Sequence, residues 1–266
     1  MNVKKTITII GVAGLLVVTS LVLANTTAIK NKKWWNKTQA PQQAVESERG
    51  KKDPAQFALL AELAGWLKPF DSTNTAYAYE ALLTAIDKTD SAHAMTNVDY
   101  RFRKNRQQFY LRVGRQETIN TDQFYLVADH DAQRIILRAA KHVAQVPGIQ
   151  LNALYNYLRG EGYTLKKKTE NGLPVIAMSN PYHISCKEFT VQYDSAVRQV
   201  KKIFFRQADI ADHMDPSLEK WVTLVFKKWD DDPESRQFPR IQDFVTSRQG
   251  KWISTPAYQD YELMVR

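Results

Sequence analysis

The residues of this chain whose types could do chemistry fall in four short places. Asp129-His130-Asp131 sets an imidazole between two carboxylates. The run at 209–215 surrounds His213 with Asp209, Asp212 and Asp215, and Asp230-Asp231-Asp232 precedes Pro233. The fourth is Cys186, the single thiol. Imidazole with carboxylate is a zinc ligand set, and carboxylates alone suit calcium. A metal site needs three or four ligands converging in space, and none of these stretches has a recognised ligand spacing. They read instead as polar turns between strands, where Asp bonds its own backbone. For 230–233 a calcium-binding turn is the alternative. Cys186 lies in an alternating run at 184–193 and reads as a small buried apolar residue rather than a reactive thiol. As the one cysteine it forms no intramolecular disulfide, and a domain of this size needs none. Gly-x-Ser-x-Gly, a Walker loop, a dinucleotide fingerprint and His-Glu-x-x-His are all missing from the sequence. The expectation is a protein with no catalytic residue, no metal site and no cofactor.

Binding rather than catalysis is then the chemistry to look for, and the stretch at 98–138 is built for it. Val98, Tyr100 and Phe102 alternate with Asp99, Arg101 and Arg103; Phe109, Leu111 and Val113 alternate with Tyr110 and Arg112. A period of two puts each set on one face of a strand. Strand-like runs at 124–127 and 134–137 follow, and connections this short produce an antiparallel meander. Val98, Tyr100, Phe102, Phe109, Leu111, Val113, Phe124 and Leu126 are the candidate ligand-binding residues, lining an apolar cavity. The same residue types also make an ordinary packed core, so both readings stay open.

The net charge of +9 suggests nucleic acid until it is located. Nine of the 37 basic residues and two of the 28 acidic ones precede Asp53, which leaves about +2 on the rest. Nucleic acid is therefore not an expected partner, since a basic face is its footprint. Lys4 and Lys5 precede an uncharged apolar run at 7–24. It reads as a signal peptide ending at Val22-Leu23-Ala24, or as an uncleaved anchor close to bilayer-spanning length. Trp34 and Trp35 among Lys30, Lys32 and Lys33 suit a membrane interface. Both readings export the chain: anchored on the periplasmic side of the inner membrane, or soluble in the periplasm if the leader is cleaved.

Three parts follow: 1–24 as leader or anchor, 25–52 as a basic flexible tether, and 53–266 as the folded domain. Asp53-Pro54 is a helix start, and Phe57, Leu60, Ala64 and Leu67 recur at helical spacing until Pro69. The pattern predicts a second helix after Asn74, with Tyr79, Leu82, Leu83 and Ile86 on one stripe. A third is predicted at Leu151, Leu154, Tyr155 and Leu158. Strand patterns then cover 163–168, 173–178, 184–193, 197–206, 218–229, 241–246 and 257–265. Glu170-Asn171-Gly172 marks a hairpin. With four earlier strands this makes about eleven, all antiparallel, too many to lie flat. The expected fold class is α+β: a strongly curved antiparallel sheet, an unclosed barrel, with about three helices on its concave side and an N-terminal hydrophobic helix ahead of it.

This order resembles the bacterial lipoprotein-localisation factors, the LolA/LolB-like half-barrel family. The similarity rests on a helix at 77–88 leading into the strands at 98–103, 109–113, 124–130 and 134–137. Strands at 189–194 and 197–205 continue it, with 221–230 and 258–265, and Gln192-Tyr193-Asp194-Ser195 as a strand-turn signature. It spans residues 74–266 at the level of topology, so no individual residue is carried over. The resemblance implies an apolar cavity for acyl chains under a helical lid. The expected function is thus an envelope protein, not an enzyme, binding a lipid or lipoprotein acyl chain and held to the membrane by its N-terminal helix. The alternative is a membrane-anchored assembly module with a solid core and an envelope protein as partner.

Overall fold

The computed structural model describes residues 53–71, 74, 76–140, 160–230 and 239–266. The leader, the tether and the helix expected at 151–158 lie outside those residues, as do Asp231, Asp232 and Pro233. One complete α-helix, α1, spans Pro54–Leu67. Asp53 caps it by accepting from the Ala55 amide at 2.9 Å, and Pro54 opens the first turn. Leu60, Leu63 and Leu67 form its fully buried stripe. A 3-10 turn at Lys68–Phe70 holds Pro69, ends the helix and buries Phe70.

The strands are β1 (Ala76–Asp87), β2 (Met95–Asn105), β3 (Gln108–Val113), β4 (Gln116–Asn120), β5 (Phe124–Asp129), β6 (Arg134–Ala139), β7 (Thr164–Glu170), β8 (Leu173–Ser179), β9 (Cys186–Asp194), β10 (Gln199–Gln207), β11 (Lys220–Asp230), β12 (Val245–Arg248), β13 (Lys251–Ser254) and β14 (Glu262–Val265). Twelve of them form one unclosed sheet in the order β14-β6-β5-β4-β3-β2-β1-β11-β10-β9-β8-β7. β12 and β13 pair in a separate hairpin. Two meanders are thus joined where β1 meets β11, and the domain is mostly β.

Three expectations are corrected. The helix predicted after Asn74 is strand β1, paired with β2 on one side and β11 on the other. Its Ala, Leu and Glu favour a helix, but Tyr77, Tyr79, Ala81 and Leu83 also alternate inward. Pairing on both edges overrides local propensity. Among the described residues fourteen strands replace eleven, since β1, β4 and β13 add to the count while 241–243 is a 3-10 turn. The sheet is not wholly antiparallel either, because β14 runs parallel to β6 as the edge strand. The Asn171-Gly172 hairpin forms as expected, with both residues at positive φ, 51° and 77°.

The core changes sides along the sheet. On β1–β3 and β7–β11 the buried residues face α1: Tyr79, Phe102, Phe109, Phe189, Val191, Phe205 and Leu224 belong to one cluster with Leu60, Leu63 and Leu67. On β4–β6 the buried apolar residues are Ile119, Leu126, Ala128, Ile135 and Leu137. Register makes Asn120 the partner of Phe109, and Tyr125 the partner of Asn120. Leu126 and Ile119 therefore lie on the face opposite Phe109. The C-terminal segment covers that outer face with Ile241, Phe244 and Val245, and Trp252, Tyr258, Tyr261 and Leu263 pack beside them.

Candidate functional site

α1 crosses the inner face from the β7 edge to the middle of the sheet. At its start Gln56 treats β7 as a neighbouring strand would: its amide donates to the Leu165 carbonyl at 3.0 Å and accepts from the Leu165 N–H at 2.6 Å. Further along the helix, Glu62 accepts from Lys167 Nζ at 2.8 Å and from the Tyr193 hydroxyl. Burial pushes the Glu62 carboxyl up, but the hydrogen bonds from Lys167 and Tyr193 outweigh it and hold the group below its ordinary value. Trp66 stacks on Tyr193 at 4.2 Å between centroids. Phe70 then fills the space between Tyr79, Phe226 and Trp229. The Trp229 indole N–H donates to the Val200 carbonyl at 3.2 Å.

Beside this aromatic row lies an open cleft of about 880 Å³. Its walls come from α1 and the turn after it (Glu62, Gly65, Trp66, Pro69), the start of β1 (Ala76, Tyr77, Ala78), the β9–β10 turn (Arg198, Gln199) and Trp229. The volume falls within the usual range of about 300–1,000 Å³ for small-molecule pockets. Tyr77 is mostly buried, and its phenol is pushed well above its usual range by that burial. Lys104 sits 5.6 Å from the centre of the Tyr77 ring, and its ammonium donates to the Asn74 carbonyl at 2.7 Å. Large rings beside a few polar groups offer contact area and orientation to an amphipathic ligand.

The eight residues proposed from sequence do not line this cleft. Tyr100, Phe102, Phe109 and Val113 are buried in the main cluster, with Val98 and Leu111 packed against it. Burial lifts the Tyr100 phenol to about 12. Phe124 and Leu126 face the other way into the outer cluster, Phe124 meeting Trp252 at 5.0 Å. The eight therefore do not share one surface, because the apolar side of the sheet reverses at β4, whose inner residues Gln116, Thr118 and Asn120 are polar. The cleft residues left no periodic signal in the sequence. The one signal that could point there is Trp66 and Trp229, large rings near the ends of α1 and β11.

The polar stretches turn out as follows. Asp129 accepts from the Asp131 and Ala132 amides, so 129–132 is the expected turn. His130, however, is mostly buried beneath the C-terminal segment, 2.8 Å from Glu117 Oε1 and 2.9 Å from the Tyr261 hydroxyl. Asp209 and Asp212 bond amides of their own loop, as expected. Burial pushes the Cys186 thiol up to about 12, which fits a core residue. A group that sequence reading missed is Glu161, His183 and Ser185: His183 Nε2 lies 2.8 Å from Glu161, and Ser185 Oγ 3.2 Å from Nδ1. That nitrogen already accepts the Ser185 and Cys186 amides. An acceptor so occupied shapes the turn and does not serve as a general base. Among the described residues, no three His, Cys, Asp or Glu side chains converge as metal ligands would.

No family model matches the sequence, and no curated protein matches it. Solved structures similar to it include an uncharacterized conserved protein from Thermus thermophilus, 8% identical, covering 77% of this chain and 99% of that one with a TM-score of 0.35. A LolA superfamily protein from Nitrosomonas europaea is 10% identical over 69% of this chain and 94% of its own, with a TM-score of 0.26. A DUF1329 family protein from Desulfovibrio piger is 7% identical over 67% and 93%, with a TM-score of 0.28.

Proposed function

We propose that this chain is a non-enzymatic envelope protein that holds an acyl chain of a lipid or lipoprotein in the cleft between α1 and the sheet. The observation that carries this is the cleft itself, about 880 Å³ of open space beside the aromatic row of Trp66, Tyr77 and Trp229. The ligand enters past Gly65 and the β9–β10 turn. Its chain extends toward the apolar inner face that includes Phe102 and Leu111, with α1 yielding as a lid. Each methylene buried contributes on the order of 0.8 kcal/mol. The apolar run at 7–24 exports the chain and, if retained, keeps it at the membrane. The test is native mass spectrometry of the full chain, purified gently from its membrane, followed by lipid extraction. A co-purifying acyl species supports the proposal. A clean apo mass together with no uptake of a fluorescent fatty acid overturns it.

A second reading has its own observation. Leu60, Leu63 and Leu67 are fully buried and fill the inner face, as in a solid core. In that case the domain is a membrane-anchored assembly module whose ligand is a protein. A clean apo mass would leave this one standing, and crosslinking for envelope partners would follow.

A further inference from the structure

At the end of the strands opposite the cleft, two loops expose large apolar side chains. Ile210 is 80% exposed, and Tyr182, Ile184 and Met214 are all at least half exposed. The loops are neighbours, since the Ala208 amide donates to the Ser185 carbonyl at 2.7 Å. Side chains of this kind, gathered on adjacent loops, mark a contact surface. The apolar residues alternate with Asp209, Asp212 and Asp215, none of which has a cation within ion-pair distance among the described residues. The cations at this end are committed elsewhere: Lys187 and Lys88 to Glu219 at 3.0 and 3.4 Å, Lys220 to Asp87 at 2.9 Å and Arg206 to Glu188 at 3.7 Å. The occupant should therefore be apolar and basic, and an anionic bilayer surface is disfavoured by like charge.

We infer that this surface is the docking site of the chain's own segment 30–37, Lys-Asn-Lys-Lys-Trp-Trp-Asn-Lys. Its four lysines and two tryptophans match the carboxylates and apolar side chains of the loops. The connection is also short enough. α1 starts at this end, because Gln56 bonds Leu165 near the start of β7 and Leu165 pairs with Met178, one residue from the end of β8. From β7 to β10 the sheet advances roughly 15 Å. Residues 38–52, between Lys37 and Asp53, reach about 50 Å when extended. Docking there shortens the effective tether and holds this end of the domain toward whatever precedes residue 30.

The experiment places the photocrosslinker benzoylphenylalanine at Asn36 of the full chain, which leaves both tryptophans intact, and maps the products by peptide mass. A crosslink to 208–218 or 180–185 is expected. The double variant Ile210→Asp, Met214→Asp should lower its yield about tenfold through lost burial. Asp209→Asn with Asp212→Asn should also lower it, and serves if the first pair melts early. Crosslinks confined to another protein or to lipid, or a yield unmoved by both pairs, overturn the inference. Lipid uptake at the cleft is unaffected by either result.

Discussion

Gly65 separates the cleft from the helix that borders it. It lies in α1 with its Cα on the cleft wall, and a Cβ built there meets no atom within 4 Å. Alanine at this position therefore gains helix propensity without a clash, worth about 1 kcal/mol. For a domain of this size that raises Tm by about 2–4 °C. Tryptophan keeps only part of that backbone gain and projects an indole into the cleft. If it displaces four methylenes of a bound chain, about 3 kcal/mol of burial is lost. That is on the order of a hundredfold in Kd. The assay is a thermal melt beside titration with a fluorescent fatty acid, for the native chain, Gly65→Ala and Gly65→Trp. The expected result is two raised melting temperatures, with binding retained in Gly65→Ala and lost in Gly65→Trp. A Gly65→Trp protein that melts normally and binds as well as the native one would refute the cleft as the binding site. A lowered Tm in Gly65→Ala would refute the reading of open space.

Lys187 and Glu219 have side chains only 6% and 4% exposed and pair at 3.0 Å. Removing the carboxylate with Glu219→Gln leaves a buried ammonium uncompensated, at a cost of about 3–5 kcal/mol that a urea melt will show. Burial pushes the Glu219 carboxyl up, but the Lys187 and Trp221 hydrogen bonds prevail, so its folded pKa lies below 4.5. Its stabilisation is thus complete above the unfolded value of 4.5 and is lost as pH falls through the lower folded value, so the native protein should show an acid destabilisation that Glu219→Gln lacks. Cys186, with its thiol near 12, should resist iodoacetamide at neutral pH and react only in denaturant; labelling of native protein followed by mass measurement checks this. Gly172 sits at φ 77° with open space around it, so Gly172→Ala should cost roughly 1 kcal/mol by backbone strain alone, measured as a shift in the denaturation midpoint.

What could be read from the sequence was whatever a few neighbouring residues decide together. Asp53-Pro54 fixes the start of α1, and Asn171-Gly172 fixes the β7–β8 turn, because capping and positive φ are local demands. Ala76–Asp87 was misread because its residues fit both periods. Pairing decides for a strand, with β2 along one edge and with β11, more than 130 residues away, along the other. The reversal of the core at β4 is equally non-local. Phe124 and Leu126 look like inner-face residues until the C-terminal segment, ending in the parallel strand β14, supplies Phe244, Val245 and Trp252 to the outer face where they pack. The cleft lies furthest from local rules. Gly65, Tyr77, Arg198 and Trp229 belong to four separate elements and share no spacing, since a concave surface at the end of a sheet is set by where chain segments stop. A filled core demands a sequence pattern, because each apolar side chain must find its complement. An empty cleft needs only that nothing bulky occupy positions such as Gly65 and Ala78, which leaves no repeat to detect.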